Sequence, residues 1–307
     1  MCDLTCSLAG LTLKNPFVLA SGVLGTSPAL LVRAARAGAG AVTSKSCGAQ
    51  ARAGHANPVA IPWQGGVLNA VGLTNPGLEA ELPLLRIAKE ELRSMGVPLI
   101  ASIFAPSVEE FARMAAGISA AEPDLIEINI SCPNVGDEFG TPFSGSPETA
   151  YAVTAAVKGA TSIPITAKLA PNVPSIARIA LAVEAAGADA ITAINTVPGM
   201  LIDAHAARPL LSNRVGGLSG WSIKPVALRC VAEICQAVKI PVIGLGGMRT
   251  GLDAAEMIMA GATAVGVGSA LWPRGPEILV DISDQLREFM QQEGYPDLES
   301  MRGKAMV

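Results

Sequence analysis

The chain has 307 residues, half of them hydrophobic, 16% charged and 4% aromatic, with a formal net charge of −4. So much apolar side chain excludes a disordered or solvating chain. The negative balance and the few aromatic rings argue against a phosphate-backbone binder or a base-stacking protein, so no nucleic-acid partner is expected. The length admits two average domains, but α/β barrels of this size form one, and no linker or composition break divides residues 1–307. The uncharged run between Lys14 and Arg33 is interrupted by Pro16, Gly22, Gly25 and Pro28, and Met1–Cys6 offers no basic signal start. No membrane association is expected. Cys2, Cys6, Cys47, Cys132, Cys230 and Cys235 form no CxxC pair, so the spacing predicts neither a disulfide framework nor a metal site, and a reducing cytoplasm is expected.

In chain order, residues 4–13 read as a small hairpin. Eight short buried runs follow as strands, at 17–21, 41–46, 98–104, 125–131, 164–170, 190–196, 241–247 and 264–270. Helical segments lie between them. Ser27-Pro28 and Ser146-Pro147 place an N-cap before a proline whose missing N–H costs nothing, and Ser107 with Glu110 fits a capping box. Three similar junctions, Ala37-Gly38-Ala39, Ala186-Gly187-Ala188 and Ala260-Gly261-Ala262, stop a helix at glycine and enter an apolar run. Eight strands alternating with helices predict a (β/α)8 TIM barrel, with an open doubly wound sheet as the alternative. The long Gly-, Pro- and Asn-rich stretches 47–80, 133–145 and 197–221 follow the second, fourth and sixth strands. They are therefore insertions at the C-terminal face, where barrel active sites are built.

Strand alternation locates candidate chemistry. Glu127, Asn129 and Ser131 share one face of the fourth strand and Ile126, Ile128 and Ile130 the other, so the polar face points into the barrel. Thr166 and Lys168 share a face on the fifth strand, Asn195 shares one with Ala193 and Ile191 on the sixth, and Lys45 lies near the end of the second. An inward lysine is costly to desolvate unless an anion or dipole meets it, so the cluster predicts a flat, anionic, hydrogen-bonding ligand. Gly246-Gly247 and Gly268-Ser269 follow the last two strands, the usual phosphate cradle of a barrel. Cys132 directly follows the fourth strand and is the candidate for proton chemistry, whereas the other cysteines, His55 and His205 read as packing or loop residues.

These segments resemble the class 1 dihydroorotate dehydrogenases. The resemblance rests on Thr43-Ser44-Lys45-Ser46, Asn69 to Gly77, Asn129 to Asn134, Lys168 to Asn172, Ile194-Asn195-Thr196 and Gly216 to Gly220, in order along the chain. Cysteine at 132 separates it from the membrane-associated class, which carries serine, and the 196–220 insertion is most similar to the NAD-linked branch. The resemblance implies oxidation of (S)-dihydroorotate to orotate on FMN, with Cys132 taking the C5 proton as hydride passes from C6 to the flavin. It implies substrate contacts from Lys45, Asn69, Ala70, Val71, Gly72, Leu73, Asn129, Asn195 and Thr196. It assigns Ser21, Lys45, Ser46, Asn129, Lys168, Ile194, Gly220, Gly246, Gly247, Gly268 and Ser269 to FMN, and makes 133–145 a lid. It further implies a homodimer and an iron–sulfur flavoprotein partner that carries FAD and a [2Fe-2S] cluster and reduces NAD. Ser102, where the family often has Asn, and Trp221-Ser222, in place of the usual Pro-Ala, depart from the pattern. The alternatives are a fumarate-using class 1 enzyme, another FMN-dependent dihydropyrimidine oxidoreductase, and a non-flavin phosphate-binding isomerase or aldolase barrel.

Overall fold

The structure, a computed structural model, describes residues 2–131 and 143–307. Eight parallel strands form a closed barrel in chain order. They are β1 (Phe17–Leu19), β2 (Ala41–Thr43), β3 (Leu99–Ile103), β4 (Leu125–Asn129), β5 (Ile165–Leu169), β6 (Ala190–Ala193), β7 (Val242–Leu245) and β8 (Ala264–Val267). Each lies inside one of the expected runs, and β8 closes onto β1. Around them pack α1 (Pro28–Arg36), α2 (Leu78–Ser94), α3 (Val108–Ile118), α4 (Pro147–Ala160), α5 (Ile176–Ala185), α6 (Lys224–Ala237), α7 (Gly251–Met259) and α8 (Ile278–Glu293). Parallel strands covered on both sides need apolar residues throughout, which is why the runs carry so little outward polarity. A continuous core extends from Leu4 to Met301.

Local signals explain where the helices begin and end. Ser27 and Ser146 accept hydrogen bonds from the Leu30 and Thr149 amides, each just before a proline. Ser107 accepts from the Glu110 amide, but the reciprocal capping box expected there forms instead at α7, between Thr250 and Asp253. Gly38, Gly187 and Gly261 all have positive φ, between +94° and +115°, as the three junctions require. The hairpin pairs Cys6–Leu8 with Leu11–Leu13, burying Leu8 and Leu13. Among the described residues, no helix is long and apolar enough to cross a membrane.

One feature of the insertions was not anticipated. Val197–Gly199, Gly216–Gly220, Gly66–Asn69 and Ala60–Trp63 form a four-stranded antiparallel sheet, in that order, joining the loops after β2 and β6. Cys132 and residues 133–142 of the expected lid lie outside the described residues.

Glu81, near the start of α2, is only 6% exposed, and burial pushes its carboxyl up to about 7. The folded protein therefore holds a proton that the unfolded chain releases near pH 4.3. Its contribution to stability is complete below that pH and is lost as pH rises through about 7. Glu81→Gln is expected to add about 3 kcal/mol at pH 8 and almost nothing at pH 4, read from urea midpoints at the two pH values.

Candidate active site

A cavity of about 570 Å³ opens at the C-terminal ends of the strands, a size suited to a cofactor or drug-sized ligand. Every barrel strand except β3, or the loop just after it, contributes to the lining, and the antiparallel sheet supplies one wall through Val67, Asn69, Ser219 and Gly220. All the described residues predicted for the site line it, with one exception. Ala70 packs with Leu68 and Leu211 in a small separate core, and its backbone is occupied by Val59 and His55, so its neighbours Asn69, Val71, Gly72 and Leu73 face the cavity without it.

The barrel interior is built in layers. Strand register puts Ser102, Glu127 and Thr166 side by side, and in the next layer Asn129, Lys168 and Thr192. Thr166 and Thr192, on the neighbouring strands β5 and β6, share a hydrogen bond of 3.0 Å inside the barrel. This corrects the reading of the sixth strand, because Thr192 faces inward and Ile191 and Ala193 therefore face the helices. Asn195 reaches the cavity because β6 ends at Ala193 and alternation does not extend past it. Its amide donates to the hydroxyl of Ser131 at 2.9 Å and to the Ser131 carbonyl at 3.3 Å, fixing the residue before Cys132. Ser131 in turn donates to Asn129, whose amide donates to Ser46.

Lys168 is 5% exposed and lines the cavity. Its Nζ lies 3.6 Å from Glu127 Oε1, and no acceptor among the described residues is within hydrogen-bond distance of it. A buried ammonium with unspent donors is a strong demand for an anion or a carbonyl in the cavity. A second demand comes from the glycine loops. The amides of Gly246, Gly247, Gly268 and Ser269 donate to no acceptor among the described residues. Gly247 has φ +85°, and a Cβ there would lie 2.5 Å from Lys224 Cβ, so the loop requires glycine. Asp253 holds the loop from behind. Burial raises its carboxyl, but hydrogen bonds from Lys224, Thr250 and the Arg249 amide outweigh this and keep it below the usual range.

The remaining described cysteines fit the packing role. Burial pushes the thiols of Cys6, Cys47 and Cys235 up to about 11, 12 and 12, so none is a base near neutral pH. Met248 and Trp272 also line the cavity, although sequence reasoning had not marked them. Their places just beyond the two glycine pairs were the available signal.

Unpaired amides after β7 and β8, with a buried cation lining the same cavity, make a site of the barrel class suited to a phosphorylated, anionic ligand. The model of the family described as dihydroorotate dehydrogenase matches residues 3–290, and the chain belongs to that family. It is 48% identical over 300 residues to the "Dihydroorotate dehydrogenase B (NAD(+)), catalytic subunit" of Methanosarcina mazei, covering 97% of this chain and 94% of that one. The subunit of the same name from Methanothermobacter thermautotrophicus is 45% identical, with 97% of both chains covered. The crystal structure of the Eimeria tenella enzyme in complex with ferulenol superposes with a TM-score of 0.86 at 20% identity, covering 99% of this chain and 89% of that one, a likeness of fold.

Proposed function

We propose that the chain, folded as one barrel domain, is the FMN-binding catalytic subunit of an NAD-linked dihydroorotate dehydrogenase. In this reading it oxidises (S)-dihydroorotate to orotate in cytoplasmic pyrimidine synthesis. The observation that carries the reading is the buried Lys168 ammonium, facing the cavity with no hydrogen-bond acceptor of its own among the described residues. The unpaired amides of Gly246, Gly247, Gly268 and Ser269 fit the phosphate of FMN. Ser21, Ser46, Asn129, Ile194 and Gly220 line the same cavity, and Lys168 would meet the flavin ring. When bound, the flavin supplies the two-electron acceptor for the hydride that leaves C6 of the substrate.

The protein's own groups do the rest. Lys45 and the amides of Asn69, Asn129 and Asn195 would orient the substrate's carboxylate and pyrimidine edge, beside Thr196 and Val71 to Leu73. Cys132 would remove the C5 proton as general base, with Ser131 before it anchored by Asn195. Lys168 would stabilise the negative charge that reaches the ring. Electrons would leave through an iron–sulfur flavoprotein subunit carrying FAD and a [2Fe-2S] cluster, docked on a homodimer of this chain.

An acceptor assay tests the reading. The purified chain should reduce an artificial dye with dihydroorotate, and should reduce NAD only when the iron–sulfur flavoprotein subunit is added. Full-rate fumarate reduction by the chain alone would replace the NAD-linked reading with the fumarate-using one.

A further inference from the structure

Glu127 is 3% exposed and stands inside the barrel one layer below Lys168. Burying a carboxylate with an ammonium does not by itself stabilise a fold, because desolvating both charges offsets their attraction and apolar residues would fill the space as well. The pair therefore calls for another explanation, and its geometry suggests one. At 3.6 Å the two charges are close enough to compensate each other, yet too far apart for the ammonium to spend a hydrogen bond on the carboxylate. The carboxylate is held from the opposite side. Ser102, its register neighbour on β3, donates to Glu127 Oε1 at 3.0 Å. Ser102 Oγ lies 2.8 Å from Ser46 Oγ, which accepts from the Asn129 amide at 3.1 Å. Among the described residues, the hydroxyl and the ammonium are the carboxylate's only side-chain partners.

We propose that Glu127, held by Ser102, is a positioning residue that sets how much of the Lys168 charge the flavin feels, and thereby the flavin's reduction potential. The proposal rests on the flavin reading above. Taking up two electrons and one proton leaves an initially neutral ring system with one additional negative charge. An uncompensated ammonium against it favours that state, while a carboxylate behind the ammonium weakens the preference. Ser102 restrains the carboxylate from closing onto Lys168. The two side chains thus act in opposite directions, Glu127 lowering the potential and Ser102 limiting how far it falls.

The test is an anaerobic redox titration of the bound flavin against a reference dye at fixed pH. Glu127→Gln should shift the dye equilibrium toward reduced flavin by at least tenfold, about 30 mV for a two-electron couple. Ser102→Ala frees the carboxylate to approach Lys168 and should shift it the opposite way. kcat should move with the potential, while KM for dihydroorotate stays within twofold. A flavin-loaded Glu127→Gln protein of unchanged potential overturns the proposal, as does a Ser102→Ala shift that is absent or of the same sign. Should Glu127→Gln not fold, the one-atom deletion in Ser102→Ala decides by its sign. A wild-type chain that carries no flavin would remove the functional reading itself, a result distinct from either.

Discussion

Replacing Cys132 by alanine is expected to cut dihydroorotate turnover by about 10²–10⁴-fold, the usual contribution of a positioned general base. The protein should stay yellow, because most of the residues proposed to hold FMN, the glycine loops and Lys168 among them, lie on other strands. The pH profile supplies a second signature. A free thiol loses its proton near pH 8.5, so wild-type turnover should rise with pH as the base ionises, while the residual rate of the variant stays flat. The pK-shifted Cys6, Cys47 and Cys235 cannot substitute, since burial keeps them protonated well above neutrality. Stopped-flow reduction of the bound flavin at several pH values measures both effects. Undiminished reduction in the alanine variant would remove the thiol from the mechanism.

Lys168→Met should have two separable consequences. Glu127 would be left buried without its counter-ion, which costs about 3–5 kcal/mol of stability. The flavin's developing charge would lose its cation, which lowers kcat by about 10²–10³-fold. Adding Glu127→Gln removes the orphaned charge, so the double variant should regain most of the stability and little of the turnover. Urea denaturation and single-turnover reduction, run on the same three proteins, distinguish the roles. Recovery of both together would make Lys168 a structural residue only.

Much of this was legible because barrels obey simple periodicities. Alternation on β4 and β5 placed Glu127, Asn129, Thr166 and Lys168 on the inner face, where the register puts them. The same rule failed at Asn195, which lies beyond the end of β6, and alternation describes only residues in the ladder. The antiparallel sheet over the mouth stayed hidden because its central pairing joins residues 66–69 to 217–220, about 150 positions apart, through strands rich in glycine. No local pattern announces such a pairing. Ala70 was carried into the site by its neighbours in a motif, whereas its small side chain serves a packing role. The Glu127–Lys168 pair lay between these cases. Both residues were read as inward-facing, but only the distance across two neighbouring strands shows that they compensate each other.

The central claim is that one cavity holds both flavin and dihydroorotate. Anaerobic addition of dihydroorotate to the purified chain, with no partner subunit present, tests it most directly. A single cavity predicts that the yellow absorbance bleaches at one flavin per chain and that orotate appears in equal amount. A colourless protein, or a flavin that dihydroorotate leaves oxidised, would contradict it.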